Sequence, residues 1–206
     1  MKEIVLFFCF LFPALGFSQN FEEELKAALK ENPELDLRLD SRHSFINQTG
    51  VKVFGVKAGV QFDNKLSFGI GYNQLWNPLE RSINIEGLTY KVELGFFNIS
   101  PYVEYVFYKD NRWVLSIPVQ FGFGSSFYKN KEEFGPDKFF SKFVVSYEPA
   151  ITFEYRFLKY FGAGLGVGYR LMIIPNAQIR EQFTSPVYIF KTNIYFEDIY
   201  RDIFEK

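Results

Sequence analysis

Few residues in this chain have the types and spacing that chemistry needs. Cys9 is the only cysteine, and it lies inside an N-terminal apolar run. Disulfides, thiol catalysis and cysteine metal sites are therefore excluded from the mature chain. His43 is the single histidine, flanked by Ser41 and Ser44. A histidine beside a serine can act as base and nucleophile, but no acidic residue is assigned to orient it. Glu148 and Glu154 are a pair of the kind that hydrolyses glycosides. Six positions apart on one strand, they are roughly 20 Å apart, too far for that mechanism. Gly162, Gly164, Gly166 and Gly168 suggest a phosphate loop, but they alternate strictly with apolar residues and no helix signal follows. Asn47-Gln48-Thr49 and Asn98-Ile99-Ser100 match a glycosylation acceptor by pattern alone. No cluster has metal-ligand spacing, so neither metal nor cofactor is expected.

What the chain repeats is alternation. From Phe143 to Ile173 the odd positions are apolar or aromatic: Tyr147, Ile151, Phe153, Leu165, Tyr169. The even positions are charged or bare: Glu148, Glu154, Arg156, then Gly162 to Gly168 and Arg170. Successive side chains of a strand point to opposite faces, so this reads as a two-faced hairpin. A turn at Leu158–Tyr160 sets Arg156 opposite Gly162, Glu154 opposite Gly164, Thr152 opposite Gly166 and Glu148 opposite Arg170. The same period appears in Val51–Phe62, Leu66–Trp76, Trp113–Phe127 and Pro186–Phe196, and more weakly in Leu35–Phe45. Leu88–Tyr108 is a longer strand whose apolar set moves from even to odd positions, which predicts a β-bulge near Phe96-Phe97.

Eight strands result. Short turns at Asp63–Lys65, Lys109–Asn111 and Leu158–Tyr160 alternate with long polar connections at 77–87, 129–141 and 175–185. The N-terminus reads as a secretory signal peptide. Lys2 precedes the apolar run Ile4–Leu15, and Gly16-Phe17-Ser18 forms a cleavage site. Asn20–Glu31 has helical spacing, with Asn20 as cap and Glu22, Glu23 and Glu24 in the first turn. The expected organisation is a signal peptide at 1–18, a periplasmic helix at 19–34, a barrel at 35–196 and a periplasmic tail at 197–206.

The aromatic fraction is 20%, with 27 Phe and 13 Tyr, yet the mean hydropathy is −0.07, so apolar and polar residues are interleaved. Net charge is −1, which gives no reason to expect nucleic acid. Two architectures fit the alternation: a soluble β-protein that buries its apolar face, and a membrane barrel that turns it to lipid. The export signal, the aromatic ends of the strands and the glycine-rich polar face favour the barrel. Glycine gains nothing on a solvated sheet face, but inside a narrow barrel it makes room for large neighbours. The inward set is Asp36, Arg38, Asp40, Arg42, Lys57, Lys91, Glu93, Glu104, Glu148, Glu154, Arg156, Arg170 and Lys191. Its near-neutral balance predicts a salt-bridged core, carried by Lys57, Glu93, Glu104, Glu148, Glu154, Arg156 and Arg170.

Export signal, eight alternating strands and a lumen of glycine and charge resemble the small eight-stranded outer-membrane barrels, the OmpA/OmpX-like superfamily. The resemblance spans Leu35 to Phe196 and departs at the end of the chain, where Phe204 is followed by Glu205-Lys206. It implies an all-β, antiparallel, up-and-down transmembrane barrel with a short N-terminal helix, in the outer membrane of a Gram-negative envelope. The expected partners are outer-membrane lipid and envelope proteins at loops 77–87, 129–141 and 175–185, with no nucleic acid, and the chain is expected to be a monomer. Three functions stay open. The favoured one is a non-enzymatic structural, adhesion or assembly role. The others are a porin-like narrow pore or ligand-binding barrel, and a lipid A-modifying enzyme using His43, since some barrels of this kind act on lipid A through a histidine near the outer rim.

Overall fold

The computed structural model describes residues 21–46, 49–132, 134–179 and 182–194. The expected signal peptide at 1–18, the expected Asn20 cap and the expected tail at 197–206 lie outside the described residues. A helix, α1, covers residues 21–28. Nine strands follow: β1 (Glu34–Ile46), β2 (Thr49–Phe62), β3 (Leu66–Leu75), β4 (Glu80–Ile85), β5 (Leu88–Lys109), β6 (Trp113–Asn130), β7 (Lys138–Arg156), β8 (Phe161–Ile174) and β9 (Ser185–Ile194). All pairings are antiparallel, in the order β3-β2-β1-β9-β8-β7-β6-β5-β4. β3 also pairs with β5, from Leu66↔Tyr105 to Gln74↔Phe97. That contact closes β1–β3 and β5–β9 into an eight-stranded barrel, and β4 remains outside the closure.

β4 corrects the reading of 77–87 as a polar connection. Ile83 and Ile85 alternate with Ser82 and Asn84, and Glu86-Gly87 links Ile85 to its partner Leu88. Both turn residues have positive φ, 52° and 84°, as the tight hairpin turn that matches strand twist requires. The strand was obscured by its brevity and by Glu80 and Arg81 at its start.

The bulge expected near Phe96-Phe97 is absent. Burial along β5 stays on the even positions throughout, from Tyr90 through Phe96 and Asn98 to Glu104 and Val106. The chemistry changes sides while the backbone keeps its phase. A bilayer core needs only about 9–11 residues of each strand, and β5 has 22. Along its upper part Lys91 and Glu93 turn outward. Tyr90, Val92, Leu94 and Phe96 turn inward against Val51, Val53, Tyr128, Phe139 and Val144. Ile179 and Phe183 cap this core from the β8–β9 connection, with Phe183 stacked on Phe96 at 4.8 Å. The register shift of β5 lies lower, between Val106 and Tyr108.

Within the belt the outward face is apolar and open. Ile70, Ile151, Leu165 and Val167 are 55 to 61% exposed. Trp113 packs on Tyr155 at 4.3 Å near the short-turn end, and Phe45 meets Tyr188 at 6.4 Å at the other. The β7–β8 pairs run Arg156↔Gly162, Glu154↔Gly164 and Thr152↔Gly166, the register read from the sequence. The β2–β3 turn uses Asp63 and Asn64 at φ 47° and 51°. Asp110 holds the β5–β6 turn at 110–112, accepting the N–H groups of Arg112 (2.8 Å) and Trp113 (3.3 Å). Those bonds hold its carboxyl below the usual carboxylate range, first through Arg112. α1 is tied to the same end. Phe21 meets the Tyr105 ring at 4.9 Å, and Glu24 accepts from the Tyr105 hydroxyl at 3.0 Å and pairs with Lys65.

Gly59 and Gly69 face each other across β2 and β3, beneath Tyr102. A Cβ on Gly59 would lie 2.6 Å from the Tyr102 hydroxyl and 2.9 Å from the Gly69 Cα. Gly59→Val is expected to lower stability by about 1–3 kcal/mol through overpacking, read as a lower urea midpoint of the refolded barrel. Gly50→Ala, with nothing within 4 Å of the added carbon, should leave the midpoint unchanged.

Candidate functional site: a charge network across the lumen

β1 carries Asp36, Arg38, Asp40 and Arg42 at successive inward positions. Each is at most 7% exposed. Alternating sign along one strand lets neighbours pair locally: Arg38 with Asp36 at 2.6 Å, Arg42 with Asp40 at 2.7 Å. It also leaves each guanidinium a second edge aimed across the bore. Arg38 reaches Glu104 on β5, and Arg42 reaches Glu148 on β7 at 2.6 Å.

Two storeys result. In the one nearer the short turns, Glu104 binds Arg38 and also Lys191 of β9 at 3.1 Å, and Lys191 lies 3.2 Å from Glu154. Ser116 donates to Glu104, Asn193 donates to Glu154 at 2.5 Å, and the Tyr102 hydroxyl donates to Asp36 at 3.1 Å. In the storey above, Glu148 bridges Arg42 and Arg170, the latter at 2.7 Å. Lys57 approaches Asp40 at 3.3 Å and sits 4.9 Å over the Tyr102 ring, joining the storeys. Above Arg170 the Phe96 ring, 5.7 Å from the guanidinium carbon, opens the apolar core. Among the described residues the buried charges are five cations (Arg38, Arg42, Lys57, Arg170, Lys191) and five carboxylates (Asp36, Asp40, Glu104, Glu148, Glu154). Charge removed from water is tolerated only when paired, and each of the ten has an opposite charge within reach.

Of the residues named from the sequence, Lys57, Glu104, Glu148, Glu154 and Arg170 lie in this network. Glu93 does not. It faces outward above the belt, where Lys131 binds it at 2.5 Å and Glu80 at 2.7 Å. Lys91 is exposed beside it. Their expected inward placement requires a bulge at Phe96-Phe97, and the register shift of β5 lies instead between Val106 and Tyr108. Arg156 stands at the inner rim and donates to the Lys159 carbonyl. A cavity of about 50 Å³ lies there, lined by Arg38, Glu104, Glu154, Arg156, Lys191 and Asn193 among others. That is room for a few water molecules. The four charges of β1 and Lys191 were read as inward but not as the centre. The alternating signs at Asp36, Arg38, Asp40 and Arg42 were the available signal.

The remaining motifs separate. His43 faces outward, edge-on to Phe190 at 5.2 Å, and Ser44 is on the opposite face, 2.5 Å from Ser185. Among the described residues no carboxylate is hydrogen-bonded to His43. Asn98 is buried in the lumen and accepts from Asn73 at 2.8 Å, so its acceptor pattern is inaccessible. The glycines of β8 line a strand, where Gly164 faces the Lys191 stem.

No family model and no curated protein matches this chain. Solved structures do. The crystal structure of Neisserial surface protein A aligns at TM-score 0.56 and 13% identity, over 81% of this chain and 100% of its own. The N-terminal β-barrel domain of Pseudomonas aeruginosa OprF aligns at TM-score 0.52 and 6% identity, over 79% of this chain and 98% of its own. This chain has the fold of these outer-membrane β-barrels.

Glu148→Ala would leave Arg42 and Arg170 buried without their shared carboxylate. We expect a loss of about 3–5 kcal/mol, measured as a lower urea midpoint of the refolded barrel. Above the belt, the Lys131 hydrogen bond holds the Glu80 carboxyl below its ordinary range, and Glu80, then Glu93, raise the Lys131 ammonium. A lowered folded value means that the contact stabilises above the unfolded value and is lost as pH falls through the folded one. Carbon-detected NMR of Glu80 should show a titration midpoint below that of an exposed glutamate, returning to the ordinary range in Lys131→Ala.

Proposed function

We propose that this protein is an integral outer-membrane barrel, exported through residues 1–18, that works as a non-enzymatic structural, adhesion or assembly component. The observation that carries the reading is the arrangement of its two faces. An open apolar band of Ile70, Ile151, Leu165 and Val167 surrounds an interior whose charges satisfy one another. Lipid is the surrounding that such a band requires, and a bore crossed at two levels by ion pairs is suited to rigidity. The surface offered to partners is then the sheet that β4 to β7 raise beyond the belt. Among the described residues β4 pairs with β5 alone and so presents a free edge.

The pore reading asks the same ion pairs to part. The enzyme reading asks His43 to work without an orienting carboxylate. Planar-bilayer recording of the refolded full chain separates these roles. The proposal expects a heat-modifiable band in membrane fractions and no sustained conductance. Steady open channels would replace it with the pore, and an altered lipid A pattern that is lost in His43→Ala would replace it with the enzyme.

A further inference from the structure

The raised sheet carries a pair of lysines that pair with no carboxylate among the described residues. Lys129 on β6 and Lys138 on β7 are direct cross-strand partners. Their neighbours Tyr128 and Phe139 are partners too, and both are buried at 3% and 8%. Lys129 and Lys138 therefore point outward together, and both are exposed. Side chains directly opposite on an antiparallel pair have Cβ atoms about 4.5–5.5 Å apart, and like charges placed so repel. Glu93 is the cross-strand partner of Lys129 on the other side, but Lys131 holds its carboxylate at 2.5 Å. Among the described residues neither lysine has an ion-pair partner. Lys138 instead lies 4.3 Å over the ring of Phe127, and Phe127 packs at 6.4 Å on Phe97. Phe97 and Phe127 lie on the outward side, and Lys129 stands one outward step beyond Phe127 along β6.

We propose that Lys129 and Lys138 clamp a phosphate of a glycolipid in the outer leaflet. A phosphate dianion between two ammonium groups replaces their repulsion with two charge-assisted hydrogen bonds. Phe127 and Phe97 give the lipid's apolar part a wall to lie against. The proposal rests on the outer-membrane reading above and adds the chemistry of one lipid contact to it.

The test uses the full chain refolded in detergent micelles and a fluorescent bis-phosphorylated lipid A. The phosphorylated lipid should bind roughly tenfold tighter or more than its dephosphorylated form, the scale of one charged hydrogen bond. The double variant Lys129→Gln/Lys138→Gln should lose that preference. Lys129→Arg/Lys138→Arg should keep it, and so should Lys52→Gln on the far side of the barrel. Equal binding of both lipids, or an unchanged preference in the Gln variant, overturns the clamp. Inorganic phosphate competing as well as lipid A would assign the site to free phosphate and overturn the lipid. The heat-modifiable band is read in parallel. A chain that inserts but does not discriminate defeats the clamp alone, and a chain that never inserts defeats the membrane reading with it.

Discussion

A charge taken out of water must meet an opposite charge, and β1 is where this chain meets that demand. Its four inward residues alternate in sign, so each has a neighbour at hand and a second partner across the bore. Glu104 and Glu148 lie 66 and 106 positions from the arginines they bind. β1 is also the strand that seals the barrel, pairing with β2 on one side and β9 on the other. Backbone closure and charge pairing therefore occur together. Until β1 is seated, Glu104 lacks Arg38 and Glu148 lacks Arg42. Once it is seated, every element of the barrel is held to the others through the lumen as well as around the wall.

The second constraint is that the surroundings change along a strand. β5 passes from the short-turn end, through the belt, into water, and its two faces exchange character on the way. Inside the belt Glu104 and Asn98 face a polar bore, and Val103 and Ile99 face outward. Above it Val92 and Leu94 face inward, and Lys91 and Glu93 face water. The backbone phase is constant from Tyr90 to Val106. The interior is thus an ionic network below and an ordinary apolar core above, with Arg170 and Phe96 at the boundary.

That exchange explains which parts of the fold were legible. Where the surroundings are constant, period-two alternation is unambiguous, so the β7–β8 hairpin and its register could be read directly. Where they change, a swap of apolar residues from one parity to the other has two causes that look alike in one dimension: a slipped backbone or a new medium. The bulge at Phe96-Phe97 and the inward placement of Lys91 and Glu93 both followed from choosing the first. β4 was missed for a related reason. Six residues standing in water carry too little apolar contrast to mark a strand, although Glu86-Gly87 marked the turn. β1 looked weak because Ser41 and His43 interrupt its outward face, while its inward face held the stronger information.

By itself the sequence determined the strand count of the barrel, the side of each residue within the belt, the short turns and the near balance of lumen charge. These follow from alternation and turn chemistry, which act over a few neighbouring residues. Only the tertiary structure decided which charge meets which, that β1 is the hub, where the interior turns from ionic to apolar, and that Lys129 and Lys138 are cross-strand partners. Those facts depend on the stagger of strands around the closed wall and on the depth of each residue in the membrane. Both are distances in space between positions far apart in the chain, and local periodicity carries neither.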